Sequence, residues 1–171
     1  MDLSKYHALS DSVQDNLKGL IKTHGNKFMI INDKIELPAK IELITSKYNT
    51  DLEYYSIMYD KPRNFWLLPF KIDFVDAHKI AINNNCYISN IHKTEEASGT
   101  DIMHTILKML KLLRVNTVYI HDGTTIMCDG KEVDLSYYKL LEKGLTFYQK
   151  FGFKFFPEEY LAVQYLSLIH I

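Results

Sequence analysis

The stretch that decides the fold is CYISNIHKTEEASGTDIMHTILKMLKLLRVNTVYI, residues 86–120. It starts with a short apolar run, Cys86–Ile91, which predicts a β-strand. After a polar loop, Gly99–Arg114 repeats apolar residues at helical spacing, and Val115–Ile120 is a second apolar run. A strand, a helix and a strand in this order predict two parallel strands joined by a right-handed crossover.

The helix of this unit is predicted to be amphipathic. Its apolar face consists of Ile102, Ile106, Met109, Leu110 and Leu113, and Lys108 and Lys111 are expected to face water.

The chain before this unit predicts one helix and several strands. The helix covers Asp11–Thr23, with Ser10 or Asp11 as its N-cap. Between Lys27 and Ile44 three short strands are expected, with breaks at Asn32-Asp33 and at Pro38. A further proline, Pro69, favours an edge strand or a bulge.

The chain after this unit predicts a hairpin and a last helix. Asp129-Gly130 lies within Thr124–Asp134 and is a strong hairpin-turn signal. The last helix is expected to start at Asp134 or Ser136 and to run to Phe151, where Gly152 stops it.

Composition sets limits on the class of protein. The 171 residues suit one domain, predicted over residues 1–165, and a net charge of −1 favours neither nucleic acid nor a membrane as partner. Cys86 and Cys128 share no motif and are expected to be free thiols, and the N-terminus lacks the apolar region of a signal peptide. No run approaches the ~20 apolar residues of a membrane span, so we expect a cytoplasmic protein.

The last six residues, LSLIHI at 166–171, resemble the translation of an adaptor used in sequencing libraries. We expect them to be a scar that makes few core contacts, with the natural chain continuing after Tyr165. The alternative is an ordinary apolar tail.

The loop before the central helix has two interpretations. Backbone N–H groups at a helix start attract anions, so Glu96–Asp101 is suited to a pyrophosphate, and Gly99 allows a close approach. The alternative is an ordinary N-cap, because Ser, Gly and Thr are common before helices.

The end of the last helix carries a family resemblance. In LEKGLTFYQKFGF, residues 141–153, the positions of Phe147, Tyr148, Gly152 and Phe153 match the motif of the final helix of the GNAT superfamily of acetyl-CoA-dependent N-acetyltransferases. The strand, glycine loop, helix and strand of residues 86–120 precede it in that family's order. The resemblance covers roughly Asn83–Phe156, under half of the chain.

The resemblance implies an α/β fold of the acyl-CoA N-acyltransferase (GNAT-like) type, with a mixed central sheet, flanking helices and a truncated C-terminal strand. It implies that acetyl-CoA is the co-substrate and that a primary amine, on a small molecule or a protein, is the acceptor; the oligomeric state is left open. Pantetheine would pair with the backbone of Asn90, Ile91 and His92. The pyrophosphate would lie on Glu96, Ala97, Ser98, Gly99, Thr100 and Asp101.

The same resemblance implies that Tyr148 is the acid that protonates the departing thiolate, while the alternative is a core tyrosine. His121 is our candidate for the base. The alternative is that His121 and His92 are ordinary surface histidines. Asp122 would either orient His121 or attract a cationic amine, and Asp73 and Asp76 would do likewise if their strands line the cleft.

Some positions depart from the family pattern. Glu96 and Asp101 replace a cation or amide and a small residue of the loop, and Leu141 and Gly144 replace an asparagine and an alanine. Two carboxylates near a pyrophosphate repel it, which supports the alternative function: a non-catalytic GNAT-like protein that binds CoA or a protein partner.

Overall fold

The computed structural model of the chain describes residues 11–45, 53–60, 68–75, 84–121, 125–134, 147–155 and 166–170, with only the backbone at 90, 121, 125–126, 132–134, 155 and 166–170. These residues fall into two compact units, one ending at Val118 and the other covering 119–170. The described fold is mixed α/β, with a mostly antiparallel sheet and two α-helices among the described residues. The α/β class is therefore confirmed. The prediction of one domain over 1–165 stays a prediction.

The first helix, α1, covers Val13–His24. Its N-cap is Ser12, whose hydroxyl accepts from the backbone N–H of Asp15. The predicted N-caps, Ser10 and Asp11, were wrong, because the helix begins later and the N–H of Val13 is already bound by the side-chain oxygen of Asn84. Gly25 ends the helix in a left-handed φ of 75°.

Five strands follow in an antiparallel meander whose spatial order is the chain order. They are β1 (Lys27–Ile31), β2 (Glu36–Thr45), β3 (Glu53–Tyr59), β4 (Phe70–Asp73) and β5 (Asn85–Ile91).

Strand β2 runs through Pro38, where a break was predicted. The carbonyl of Pro38 accepts from the N–H of Asp60, the residue after β3. A residue's N and O point to the same side of a strand, so the missing N–H of Pro38 also faces the end of β3. The sheet therefore loses only a terminal hydrogen bond, and the proline does not interrupt the pairing of β1 with β2.

Strand β4 starts directly after Pro69. A bulge was predicted here, and the register between β4 and β5 does shift at Lys71/Ile72. The alternative of an edge strand was wrong, because β4 lies between β3 and β5. The proline is tolerated because it precedes the strand and needs no N–H in the ladder.

The strand–helix–strand segment of residues 86–120 follows its predicted order. Helix α2 covers Gly99–Leu112, two residues shorter than predicted, because Arg114 adopts a left-handed φ of 63°. Strand β6, Thr117–His121, is next to β5 in the sheet. The N–H of Asn116 donates to the carbonyl of Asn84, so the two strands start side by side, as a parallel crossover requires.

The core of the first unit lies between the two helices and one face of the sheet, where α1 packs against β1 and α2 against β1 and β5. Its fully buried apolar side chains include Leu17, Leu20, Ile30, Ile57, Phe70, Ile72, Ile88, Ile102 and Ile106. Each such side chain contributes roughly 1.5–3 kcal/mol, which is what holds the helices on the sheet.

The second unit contains the predicted hairpin: β7 (Thr125–Cys128) and β8 (Lys131–Asp134) pair antiparallel. Asp129 and Gly130 both have positive φ, as a two-residue hairpin turn requires. The expected last helix lies mostly outside the described residues. Its final turn, Tyr148–Phe151, is a 3₁₀ helix.

Strand β9, Lys154–Phe155, follows this turn and pairs antiparallel with β10, Leu166–His170. The backbone of residues 166–170 thus forms a strand, while the contacts of these side chains lie outside the described part. The scar at 166–171 stays a prediction.

Candidate functional site

The end of β5 provides the backbone predicted for pantetheine. The N–H of His92 donates to the carbonyl of Pro69 at 2.8 Å and is therefore not available to a ligand. Backbone groups alternate between the two sides of a strand, so the N–H and C=O of Ile91 point away from β4. Of the predicted residues, Ile91 thus turns its backbone groups to the side of β5 on which β6 lies. The side chain of Asn90 lies outside the described atoms.

The loop after β5 is tied together by Thr94. Its hydroxyl accepts from the backbone N–H groups of Glu96, at 3.2 Å, and Ala97, at 2.8 Å. The N–H of Thr94 in turn donates to the carbonyl of Ala97, whose side chain is buried. Two of the six amides predicted for the pyrophosphate are therefore used within the loop.

The start of α2 is capped by Ser98. Its hydroxyl accepts from the N–H of Asp101 at 3.1 Å and donates to the carboxylate of Asp101 at 2.6 Å. This donated hydrogen bond is the largest cause that lowers the pKa of the Asp101 carboxyl. Asp101 is thus an anion at the helix start, where the helix dipole favours one.

Three amides of the loop remain. The backbone N–H groups of Ser98, Gly99 and Thr100 have no hydrogen-bond partner among the described residues. Gly99 is the first residue of α2 and does not adopt a positive φ, so its backbone conformation does not require glycine. Gly99 therefore matters to a ligand because it has no side chain, which lets the ligand approach the backbone closely, and not because of an unusual φ.

A cation that the sequence did not point to lies beside this loop. The ammonium of Lys34 is 3.4 Å from the carboxylate of Asp101. Lys34 is held in the turn between β1 and β2, where the side-chain oxygen of Asn32 accepts from the N–H groups of Lys34 and Ile35. The amide nitrogen of Asn32 donates to the hydroxyl of Thr105 on α2. No local pattern connects residues 67 positions apart, which is why this pair was missed.

Tyr148 belongs to the second unit and is 6% exposed. Its ring makes edge contacts with Phe147, at 5.1 Å between centroids, and with Phe153, at 6.1 Å. Gly152, which was predicted to stop the helix, adopts a left-handed conformation, and Phe153 is buried after it. The phenol is therefore held from both sides by aromatic rings, a geometry that serves a positioned acid and a core tyrosine alike.

His121 is the last residue of β6, and the structure describes its backbone only. Asp122 and Asp76 lie outside the described residues. Asp73, by contrast, is among the described residues, and it is buried within the sheet.

Comparisons with protein-family models, with curated proteins and with solved structures found no match to this chain. Within the described ranges, no cluster of His, Cys, Asp and Glu is suited to a metal ion. Neither described helix combines the length and apolar character that crossing a bilayer needs.

Proposed function

We propose that this protein is an N-acetyltransferase that transfers the acetyl group of acetyl-CoA directly to a primary amine. The observation that carries the proposal is the β5–α2–β6 unit, whose loop leaves three adjacent backbone N–H groups at the start of α2. Such N–H groups, together with the helix dipole, favour a phosphate group.

The cofactor would be held by the first unit. Ile91 would offer its backbone to the pantetheine amides, and Ser98, Gly99 and Thr100 would donate their N–H groups to the pyrophosphate. Lys34 would provide the positive charge that Glu96 does not, by exchanging its ion pair with Asp101 for one with a phosphate oxygen.

The chemical step needs one acid and one base. The neutral amine attacks the acetyl carbonyl, the C–S bond breaks, and the thiolate takes a proton from the phenol of Tyr148. The attacking nitrogen loses a proton to a base, for which His121 is the candidate. A phenol with a pKa near ~10 suits a thiolate of comparable basicity.

The proposal is tested by incubating the protein with acetyl-CoA and a panel of amines. The panel contains polyamines, free amino acids and lysine peptides, and mass spectrometry detects the acetylated products. We expect at least one amine to be acetylated at a rate proportional to protein concentration. A protein that binds acetyl-CoA but acetylates no amine would contradict transfer.

A second candidate function is a non-catalytic protein of the same fold. It is favoured by the contacts of Ser98 and Asp101, which cap α2 without a ligand. In that case the protein binds CoA without turnover, or binds a protein partner, and no acetylation is expected.

A further inference from the structure

A polar cluster lies on the face of the sheet opposite to the helices. Ser56 on β3, Asp73 on β4 and Tyr87 on β5 are direct cross-strand partners and form one row. Lys71 is two residues before Asp73 and so faces the same side. Tyr54 and Met58 on the same face are buried, whereas Lys71 and Tyr87 are partly exposed, so the cluster combines buried and partly accessible polar groups.

One carboxylate oxygen of Asp73 is fully engaged. Its Oδ2 accepts from the ammonium of Lys71 and from the hydroxyl of Ser89, each at 3.0 Å. The hydrogen bond from Ser89 depends on the bulge between β4 and β5. Ile72 pairs with Ile88 and Lys71 pairs with Asn90, so Ser89 is the extra residue of the bulge. The bulge therefore turns Ser89 towards Asp73.

The other oxygen has no partner. Among the described residues, Asp73 Oδ1 and Ser56 Oγ are the two buried side-chain atoms without a hydrogen bond. Asp73 is 3% exposed and Ser56 is 0% exposed. A buried polar group without a hydrogen bond destabilises the fold, so a bound group is expected to satisfy these two atoms.

The two atoms belong to side chains that stand close together. The N–H of Phe74 donates to the carbonyl of Tyr55, so these two residues form a hydrogen-bonded position. The adjacent pair, Ser56 and Asp73, is then a non-hydrogen-bonded pair, the kind whose side chains approach most closely. The two side chains are therefore close neighbours, so that one small group placed between them would contact both oxygens.

The charge of Asp73 acts on the side chains around it. Burial raises the pKa values of Cys86 and of the Tyr54 and Tyr87 phenols, and the carboxylate of Asp73 raises all three further. The negative potential of Asp73 thus extends over its neighbours although Lys71 is paired with it. Oδ1 of a carboxylate only accepts hydrogen bonds, so the partner must be a donor.

We propose that Asp73 Oδ1 and Ser56 Oγ form a binding site for the amino group of a small primary amine. A primary ammonium has three donors and one positive charge, which match one carboxylate oxygen and one hydroxyl. Lys71, Tyr87 and Ser89 are partly exposed, so a ligand approaches along their side of the cluster. That this amine is the acetyl acceptor rests on the proposed function, whereas its binding does not.

The test is a titration that needs no acetyl-CoA. Ethylammonium chloride is added to the isotope-labelled protein at constant ionic strength, and the amide resonances of Ser56, Asp73 and Ser89 are followed by NMR. Tetramethylammonium chloride is the matched probe, because it carries the charge without a donor. We expect saturable shifts with ethylammonium and none with tetramethylammonium.

Three variants locate the site. Asp73→Asn should weaken ethylammonium binding at least about tenfold, and Ser56→Ala about two- to tenfold. Ser89→Ala, which removes a partner of Oδ2 only, should leave the affinity within about twofold. If Asp73→Asn does not fold, Ser56→Ala and Ser89→Ala decide the matter by themselves.

Three results would contradict the proposed site: chemical shifts that change linearly without saturation, equal shifts with both cations, or equal affinity of Ser56→Ala and the wild type for ethylammonium. A buried water bridging the two oxygens in a crystal grown with ethylammonium would overturn it as well. Saturable binding without acetylation of any amine would leave the site in place and contradict only the proposed transfer.

Discussion

The hydroxyl of Ser98 donates to the carboxylate of Asp101 at 2.6 Å and accepts from the N–H of the same residue at 3.1 Å. The start of α2 therefore already holds a negative charge, which Lys34 partly balances. Any phosphate that binds to the free N–H groups of Gly99 and Thr100 does so beside this carboxylate.

The variant Asp101→Asn is expected to bind acetyl-CoA more tightly than the wild type. Removal of the negative charge beside the loop relieves its repulsion of the pyrophosphate, which predicts a gain of about two- to fivefold in affinity by calorimetry. The control is Asp15→Asn, because Ser12 and Asp15 repeat the same cap spacing at α1. An equal or weaker affinity of Asp101→Asn would argue against a pyrophosphate at this loop.

The variant Tyr148→Phe separates the two roles of the buried phenol. If Tyr148 is the acid, its acetylation rate falls by ~10²-fold, about 2.7 kcal/mol, with stability and acetyl-CoA affinity nearly intact. If it is a core tyrosine, the free energy of unfolding of the variant is lower by about 1 kcal/mol and its acetylation rate is unchanged. The control is Phe147→Leu, which changes the ring contact at 5.1 Å and keeps the phenol. Turnover and denaturant unfolding, measured on the same preparations, decide between the roles.

Alkaline stability is expected to depend on Cys86. Burial, and then the charge of Asp73, raise the pKa of this thiol well above its ordinary value of 9.0. The unfolded chain loses the thiol proton at a lower pH than the folded chain. The contribution of this thiol to stability is therefore fully present below its ordinary pKa and is lost as the pH rises above it.

Urea unfolding between neutral and alkaline pH measures this dependence. The variant Cys86→Ala should lose less stability over that range than the wild type, although it is less stable throughout because a buried side chain is truncated. The exposed thiol gives the control, Cys128→Ser, which should follow the wild-type pH dependence. Parallel curves for Cys86→Ala and wild type would contradict the assigned pKa direction.

Asn84 joins the start of α1 to the start of β5. Its side chain accepts from the N–H of Val13 at 3.1 Å and donates to the carbonyl of Asp11 at 2.6 Å, while its φ is 52°. Asn84→Gly removes the two bonds and should cost about 1–3 kcal/mol of unfolding free energy. Asn84→Ala should cost about 1–2 kcal/mol more, because alanine resists a left-handed φ. Equal stability of these two variants in urea would contradict the conformational part of this prediction.

Local patterns were sufficient where one short stretch determines the structure. The order β5–α2–β6, the Asp129-Gly130 turn and the stop at Gly152 each depend on residues close in sequence, and each was predicted. Pro38 was misjudged because its tolerance depends on which neighbouring strand its missing N–H faces. That is a property of sheet register, which a single strand's sequence does not contain.

The candidate site was predictable only in part. The loop Glu96–Asp101 was located, but the use of its amides by Thr94 and Ser98 depends on loop geometry. Lys34 beside Asp101, and Ser56 opposite Asp73, come from different elements and meet only through the pairing of strands and the packing of α2. Such pairs have no signal in a single sequence.

The most direct test of the account is a calorimetric titration of acetyl-CoA into the wild type, Gly99→Asp and Gly99→Asn. Gly99 is the first residue of α2 and has no positive φ, so neither side chain strains the backbone, and the main difference between the two variants is the charge. The account predicts saturable binding to the wild type, no detectable binding to Gly99→Asp, intermediate affinity for Gly99→Asn, and similar unfolding free energies for all three. Absence of acetyl-CoA binding to the wild type, or equal affinity of Gly99→Asp, would contradict it.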